Sequence, residues 1–443
     1  MLIINGKVWQ NDSFQDAALS IKNGLIEAIL PTSHSPSSSE DQIMDMDGCL
    51  ILPGGIDLHA HIQDGAESFF TGSCAAVKGG LTTVVDMPPF QTVTSRAQWL
   101  ERAAWADREC VCDFGFTGGI VINKNDLGHL DELGSCGISQ FKVFMLSKPS
   151  DELLWQAVQV AAKTGLRLTV HMEEPSLLQE IDWNDPLGFF KANPPEAENV
   201  AVARMLEMAR AAGAPIHVCH VSSARSIELI DKYKSWGTAV TAETTPHYLI
   251  LNQNNIVDFP ERAIVTPALR EEHDNKVLWQ ALEDGVIDIL VSDHFLGALP
   301  DATRPRPTPK DAEPGIAGLE VSMPLVYTFG VKRGQLSMQR FVEAFSHTPA
   351  ALAGVAHQKG AIEPGLDADL VIFDQTKVWS VRSLGNDSRI PTLPYEGWQL
   401  QGFVNHTFVR GEEVWNGNKI TGKSGWGCPI PSGIIEHNNS MEK

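Results

Sequence analysis

The sequence predicts an α/β protein: a (β/α)8, TIM-like barrel with a small β-sandwich domain formed by both chain ends. Three observations carry that expectation. Between Ile51 and Ser346, short β-branched runs alternate with amphipathic helices, and eight such strands over about 300 residues match a closed parallel barrel. Strand-and-turn texture flanks this stretch on both sides. The chain has 443 residues, too many for one ordinary domain, whereas a single α/β barrel absorbs about 250 by itself.

Taken in order, Leu2–Asn5, Ala18–Ile21 and Leu25–Leu30 are apolar runs parted by Gly6 and by Lys22-Asn23-Gly24, which reads as three strands in a first segment, 1–52. Thr32–Glu40, rich in serine, is a surface loop. The barrel is expected over 53–360. Its strand candidates are Gly55–His61, Thr82–Met87, Phe114–Ile122, Ile138–Met145, Leu166–His171, Ile216–Val221, Ala239–Thr244 and Ile287–Asp293. One helix starts at the N-cap Ser150, carries Leu154, Val158 and Ala161 at helical spacing, and stops at Gly165. Another spans about Glu196–Ala212 and halts at Gly213. Strands return at Asp369–Phe373, Phe403–Val409 and Glu413–Trp415 in a segment 361–425, and 426–443 reads as a polar tail.

Composition narrows the function classes. Apolar residues make up 43% and charged residues 20%, which is globular usage. Fifty-five acids against 34 bases leave a charge of −21. Such a surface repels phosphate backbones and anionic headgroups, so neither nucleic acid nor membrane is expected as a partner. No run of 18 apolar residues occurs, and Met1–Asp12 lacks the order of a signal peptide. The seven cysteines are odd in number and form no CxxC pair. A reduced, cytoplasmic protein is expected.

The strongest local signal is His59-Ala60-His61, closing the first barrel strand. Alternate strand residues share a side, so both imidazoles can reach one ion. His171, His220 and Asp293 close three further strands, at the face where barrel enzymes work. His217, three residues before His220, should face away and pack. Lys142 lies in Gln140-Phe141-Lys142-Val143-Phe144, a buried strand where an amine is costly unless paired or neutralised. Two readings stand there: a structural ion pair, or a carbamate formed with carbon dioxide that bridges two cations. His247, just past the seventh strand, reads as support behind the ligands. His294 either orients Asp293 or the substrate, or is structural.

The runs PGGIDLHAH, FKVFM, VHMEE, HVCHVSSA, ETTPHYL and VSDH occur in the order expected of the amidohydrolase superfamily, and the chain resembles its cyclic-amidase branch of dihydroorotases, allantoinases and hydantoinases. The resemblance runs almost end to end, through KGAIEPGLDADLVIFD and PYEGWQLQGFV. It implies two divalent ions per chain. His59, His61 and Asp293 would hold one, His171 and His220 the other, and Lys142, carboxylated by carbon dioxide, would bridge them. Zinc is favoured, with Mn, Co or Fe suiting the same ligands. The implied reaction is hydrolysis of a ring C–N bond, with a metal-bridging hydroxide as nucleophile and Asp293 as proton shuttle. A small-molecule cyclic amide or ureide and a homo-oligomer, dimer or tetramer, are the implied partners.

Dihydroorotases hold their substrate's carboxylate at positions that are Gln63, Pro89 and Gly297 here, and all three charged or polar contacts are missing. Arg304, Arg306 and Lys310, in the proline-rich lid Leu296–Gly315, are the candidate substitutes. VSDH and ETTPHYL lean toward allantoinases, and FKVFM toward hydantoinases, although Leu146 stands where these carry tyrosine. An allantoinase-like ring opening is the leading expectation. Dihydroorotase, hydantoinase (dihydropyrimidinase) and cyclic imidase are the alternatives. A non-catalytic assembly protein of this fold would show a broken ligand set, and here each expected ligand is present.

Overall fold

In the computed structural model, residues 1–32, 42–63, 67–87, 93–258, 260–296, 310, 313–382 and 393–431 are described. The expected loop Thr32–Glu40, apart from Thr32, lies outside them. So do Pro89, Gly297, Arg304 and Arg306.

Both ends of the chain build one large sheet. Strands β1 (Leu2–Gln10), β2 (Ser13–Lys22), β3 (Leu25–Pro31), β4 (Ile43–Asp45) and β5 (Leu50–Pro53) come from the front. Strands β15 (Leu370–Ser380), β16 (Gln399–Val409) and β17 (Glu412–Trp415) come from the back, and the order is β17-β16-β15-β5-β1-β2-β3, with β4 on β1. The two halves meet where β5 pairs antiparallel with β15, Pro53 opposite Leu370 and Leu50 opposite Phe373. Ile3, Val8, Leu19, Ile51, Leu370, Ile372 and Phe408 form a core of this sheet.

A single residue, Gly54, separates β5 from the first barrel strand. Any side chain there would collide, because a Cβ would sit 2.1 Å from Thr82 Oγ1. The barrel strands are β6 (Gly55–His61), β7 (Leu81–Asp86), β8 (Asp113–Phe116), β9 (Gln140–Phe144), β10 (Arg167–His171), β11 (Ile216–Val218) and β12 (Val240–Thr244). The eighth is broken into β13 (Ile289–Leu290) and β14 (His294–Phe295). They pair in parallel as β14-β6-β7-β8 and β13-β12-β11-β10-β9. The cylinder closes through Lys142 N–H donating to Gly118 O (2.8 Å) on one side and Asp293 N–H to His59 O (2.9 Å) on the other. The (β/α)8 barrel with a β-rich domain from both ends is therefore the architecture. Helix Asp151–Thr164 is capped by Ser150 and ends at Gly165 in the left-handed region (φ 76°), burying Leu153, Leu154, Ala157, Val158 and Ala161.

Several strands are shorter than their apolar runs. The run Phe114–Ile122 pairs regularly only over Asp113–Phe116, and Ile216–Val221 only to Val218. Ile287–Asp293 breaks after Leu290. Polar residues at the strand ends turn the backbone: His220 (φ 33°) and Asp293 (φ 46°) are both left-handed, a region costly for a residue with a Cβ.

The described part of the expected tail is docked, not free. Phe114 N–H donates to Cys428 O (3.0 Å), Ile430 N–H returns to Phe114 O (2.8 Å), and Cys428 N–H donates to Asp113 Oδ1 (2.9 Å). The strap can lie this close because a Cβ on Gly427 would sit 2.0 Å from Cys112 O. Ile430 joins Ile56, Leu58, Val85, Ile289 and Val291 in a separate apolar cluster of barrel residues. Beside it, the buried Lys359 ammonium contacts Asp113 (2.6 Å), Asp367 (2.8 Å) and Asp369 (2.8 Å), tying the barrel to the approach of β15. All seven cysteines are unbridged, and among the described residues no helix is long and apolar enough to cross a membrane.

Candidate metal centre

His59 and His61 project from β6, Lys142 from β9 and His171 from the end of β10. His220 stands two residues beyond β11, and Asp293 sits in the break between β13 and β14. All six line one cavity of about 440 Å3. Met87, Ile120, Phe144, Leu146, Val265 and Phe295 supply its apolar wall.

The imidazoles are turned so that one nitrogen of each faces another ligand candidate. Asp293 Oδ1 lies 3.2 Å from His59 Nε2 and 3.3 Å from His61 Nε2. His171 Nδ1 and His220 Nε2 face one another at 3.0 Å. The opposite nitrogens are held from behind. His59 Nδ1 contacts Glu243 Oε1, His61 Nδ1 contacts Met87 O, and His171 Nε2 contacts Glu173 Oε2 at 2.8 Å. Backing of this kind sets the tautomer and leaves the forward nitrogen as a lone pair, the usual arrangement around a metal. His220 departs from the pattern, since its buried Nδ1 has no hydrogen-bond partner among the described residues.

Electrostatics agrees with neutral imidazoles and ionised acids. Burial lowers His59, and lowers His220 well below the usual imidazole range. Burial opposes ionisation of Asp293 and Glu243, yet the surrounding histidines hold both well below the usual carboxylate range. With His59 neutral, its pull on Glu243 is that of an N–H dipole and not of a full charge. The residues present fit a pair of divalent cations: four imidazoles and a carboxylate around one cavity with a largely apolar wall, with lone pairs directed inward.

Lys142 is 4% exposed, and its Nζ has Cys219 Sγ as its hydrogen-bond partner at 3.0 Å. No carboxylate pairs with it among the described residues, so the structural ion-pair reading of Lys142 finds no partner there. His217 does pack away from the cavity, between Thr241 Oγ1 (2.7 Å) and Glu243 Oε2 (2.9 Å). His294 is fully engaged: its Nε2 contacts Glu67 Oε2 (2.7 Å), and its Nδ1 accepts from Gly318 N–H (3.1 Å). It anchors the strand after Asp293 and reaches no cavity wall. His247 is buried behind the site against Tyr248, and desolvation brings it to about 4. Gln63 uses its carbonyl to accept from Phe69 N–H (2.9 Å), fixing the start of helix Phe69–Lys78.

Sequence reasoning missed the acids behind the ligands. Glu243 is the chief one, bonding His59, His217 and the backbone N–H of His220 (3.2 Å). Its signal was available: an ionisable residue inside a barrel strand, Val240–Thr244, which is mostly buried, is as costly as Lys142 in its own.

The amidohydrolase family model matches residues 50–414. The chain is similar to a D-phenylhydantoinase of Escherichia coli, 31% identical over 450 residues, which cover 96% of this chain and 97% of that one. It is equally similar to an allantoinase of Streptomyces avermitilis, 32% identical over 446 residues with the same coverage. Among solved structures, the dihydropyrimidinase of Brevibacillus agri superposes with a TM-score of 0.87 at 28% identity. The L-hydantoinase of Arthrobacter aurescens gives 0.88 at 29%, and each covers 97% of this chain and 98% of the other.

Proposed function

Because this chain belongs to the amidohydrolase family, we propose that it is a metal-dependent hydrolase that opens the ring C–N bond of an uncharged cyclic amide or ureide. One observation carries the reading: inward-facing imidazole nitrogens and Asp293 Oδ1 converge on a single cavity at the barrel mouth. His59, His61 and Asp293 would hold one ion and His171 and His220 a second, with carboxylated Lys142 between them. Zinc suits this donor set. When bound, such a pair supplies a water acidic enough to attack near neutral pH and polarises the substrate carbonyl.

The chain's own residues supply the rest. Asp293 takes a proton from the attacking water and returns it to the ring nitrogen, which is a poor leaving group unless protonated. Glu243 and Glu173 keep His59 and His171 in the tautomer that points its lone pair forward. Met87, Ile120, Phe144, Leu146, Val265 and Phe295 exclude bulk water and strengthen these contacts.

Both named relatives, allantoinase and D-phenylhydantoinase, open cyclic ureides by their names, and an allantoinase-like activity is the first reading. The apolar wall favours a second, a hydantoin or imide with a hydrocarbon substituent. Among the described residues no arginine lines the cavity, and Gln63 is committed to Phe69, so dihydroorotate finds no charge partner among them. We further infer a division into 1–52 and 361–425 around a barrel of 53–360, a cytoplasmic location and a homo-oligomer. Elemental analysis of metal-loaded protein, with kcat/KM for allantoin, substituted hydantoins, dihydropyrimidines and dihydroorotate, tests the reading. About two ions and a preference for an uncharged ring are expected. At most one tightly bound ion, or dihydroorotate as the best substrate, would overturn it.

A further inference from the structure

Cys219 stands directly before His220, yet it does not line the cavity. It is 3% exposed and lies behind Lys142, whose Nζ reaches its sulfur at 3.0 Å. Its Sγ also lies within 4.8 Å of donor atoms of His59 and Glu243, so it fills the floor beneath the ligands.

This arrangement constrains the amine in a way that no carboxylate partner would. A lysine nitrogen has one bond to Cε and three further directions. Sulfur takes one of them, on the side away from the cavity. Lys142 itself lines the cavity together with His59, His61, His171 and His220, so the directions that sulfur leaves open include the cavity side. A carboxylate in place of Cys219 would instead hold Nζ as an ammonium, with no lone pair to react.

We propose that Cys219 is a positioning residue for Lys142: its sulfur accepts one Nζ–H from behind and turns the nitrogen's open valence toward the four histidines. The inference rests on the reading of Lys142 as the carboxylated bridge. In that step the nitrogen lone pair attacks carbon dioxide, an N–C bond forms, one C=O π bond becomes a carboxylate, and one N–H proton leaves to solvent. The product keeps a single N–H. Sulfur holds that hydrogen, so the new carboxylate projects into the cavity and not into the floor.

The experiment uses full-length protein, wild type and the variants Cys219→Ala and Cys219→Ser, stripped of metal and incubated with zinc and graded 13C-bicarbonate. Carbamate is read by its 13C signal, and bound zinc by elemental analysis. Wild type should show one carbamate per chain. Cys219→Ala, which lacks the anchor, should need roughly fivefold more bicarbonate for half-maximal signal, the equivalent of one net hydrogen bond. Cys219→Ser, which keeps an acceptor, should return toward wild type. Identical bicarbonate dependence in all three would overturn the role of Cys219 while leaving the bridge intact. Absence of carbamate from wild type would overturn the bridge itself. A thermal unfolding midpoint measured on each metal-free variant separates positioning from a general loss of packing.

Discussion

Replacing Glu243 by glutamine isolates the charge behind the metal ligands from their geometry. Glu243 makes three hydrogen bonds: Oε1 with His59 Nδ1 and with His220 N–H (3.2 Å), and Oε2 with His217 Nε2 (2.9 Å). A glutamine whose carbonyl takes the place of Oε1 keeps the first two. Its amide then donates to His217 Nε2, provided that the His217 proton moves to Nδ1, where Thr241 Oγ1 at 2.7 Å accepts it. Every polar atom stays satisfied, so stability of the metal-free protein should change little. What is lost is the negative charge that makes His59 a stronger donor. Loss of such backing costs about 10–100-fold in metal affinity, or about 1.4–2.8 kcal/mol. Dialysis of metal-loaded Glu243→Gln against graded chelator, with ions counted by elemental analysis and unfolding followed by heat, measures both quantities. A variant that holds its ions as tightly as wild type would refute the reasoning. Glu243→Ala is the contrasting case, because it strands three buried partners at about 1–3 kcal/mol each and should unfold at a clearly lower temperature.

Asp293→Asn should lower kcat by about 10²–10⁴-fold while most of the metal stays, since four histidines remain; turnover and metal content on one preparation check it, and near-normal kcat would exclude the proton transfer. Lys142→Ala should lose activity and regain part of it with added short carboxylic acids, read by initial rates. Lys359→Met leaves Asp113, Asp367 and Asp369 without their ammonium and should cost about 3–5 kcal/mol in a denaturant titration. Ile430→Ala, far from any metal ligand in sequence, should cost about 2–5 kcal/mol through the space it opens in the barrel cluster.

The candidate site at the barrel mouth was largely legible because its chemistry contradicts its surroundings. A charged or metal-competent residue inside an apolar strand stands out, and His59, Lys142, His171 and Asp293 all do so. The same reasoning, applied to Glu243 inside β12, would have found one of the supports, whereas Glu173 lies beyond the end of β10 beside Glu174 and carries no such mark. The left-handed turns at His220 and Asp293 left no such mark, because Asp and His adopt positive φ more often than most residues yet still rarely, and the strands around them were drawn too long. The strap failed for a different reason. Trp426, Pro429 and Ile430 sit among glycines with no period of two or 3.6, so nothing local distinguishes a docked segment from a tail. Its pairing with Phe114 depends on a groove that only the folded barrel supplies. Gln63, at a position where dihydroorotases grip a carboxylate, and His294, read as orienting Asp293 or the substrate or else as structural, are each spent on backbone or carboxylate partners beside the site.

The sheet shared by the two chain ends has a consequence for synthesis. Strand β5 ends at Pro53 and its partner β15 begins at Leu370, so β5 leaves the ribosome long before the strand that covers its edge. At roughly 5–20 residues per second, the wait is about 15–60 s. Throughout it, the first strands present an unpaired, apolar edge, while the barrel that follows β5 across Gly54 is still being extended. An exposed edge of this kind invites pairing with other nascent chains. Yield in a heterologous host should therefore depend on translation speed and on holdase chaperones, even for variants whose finished form is as stable as wild type.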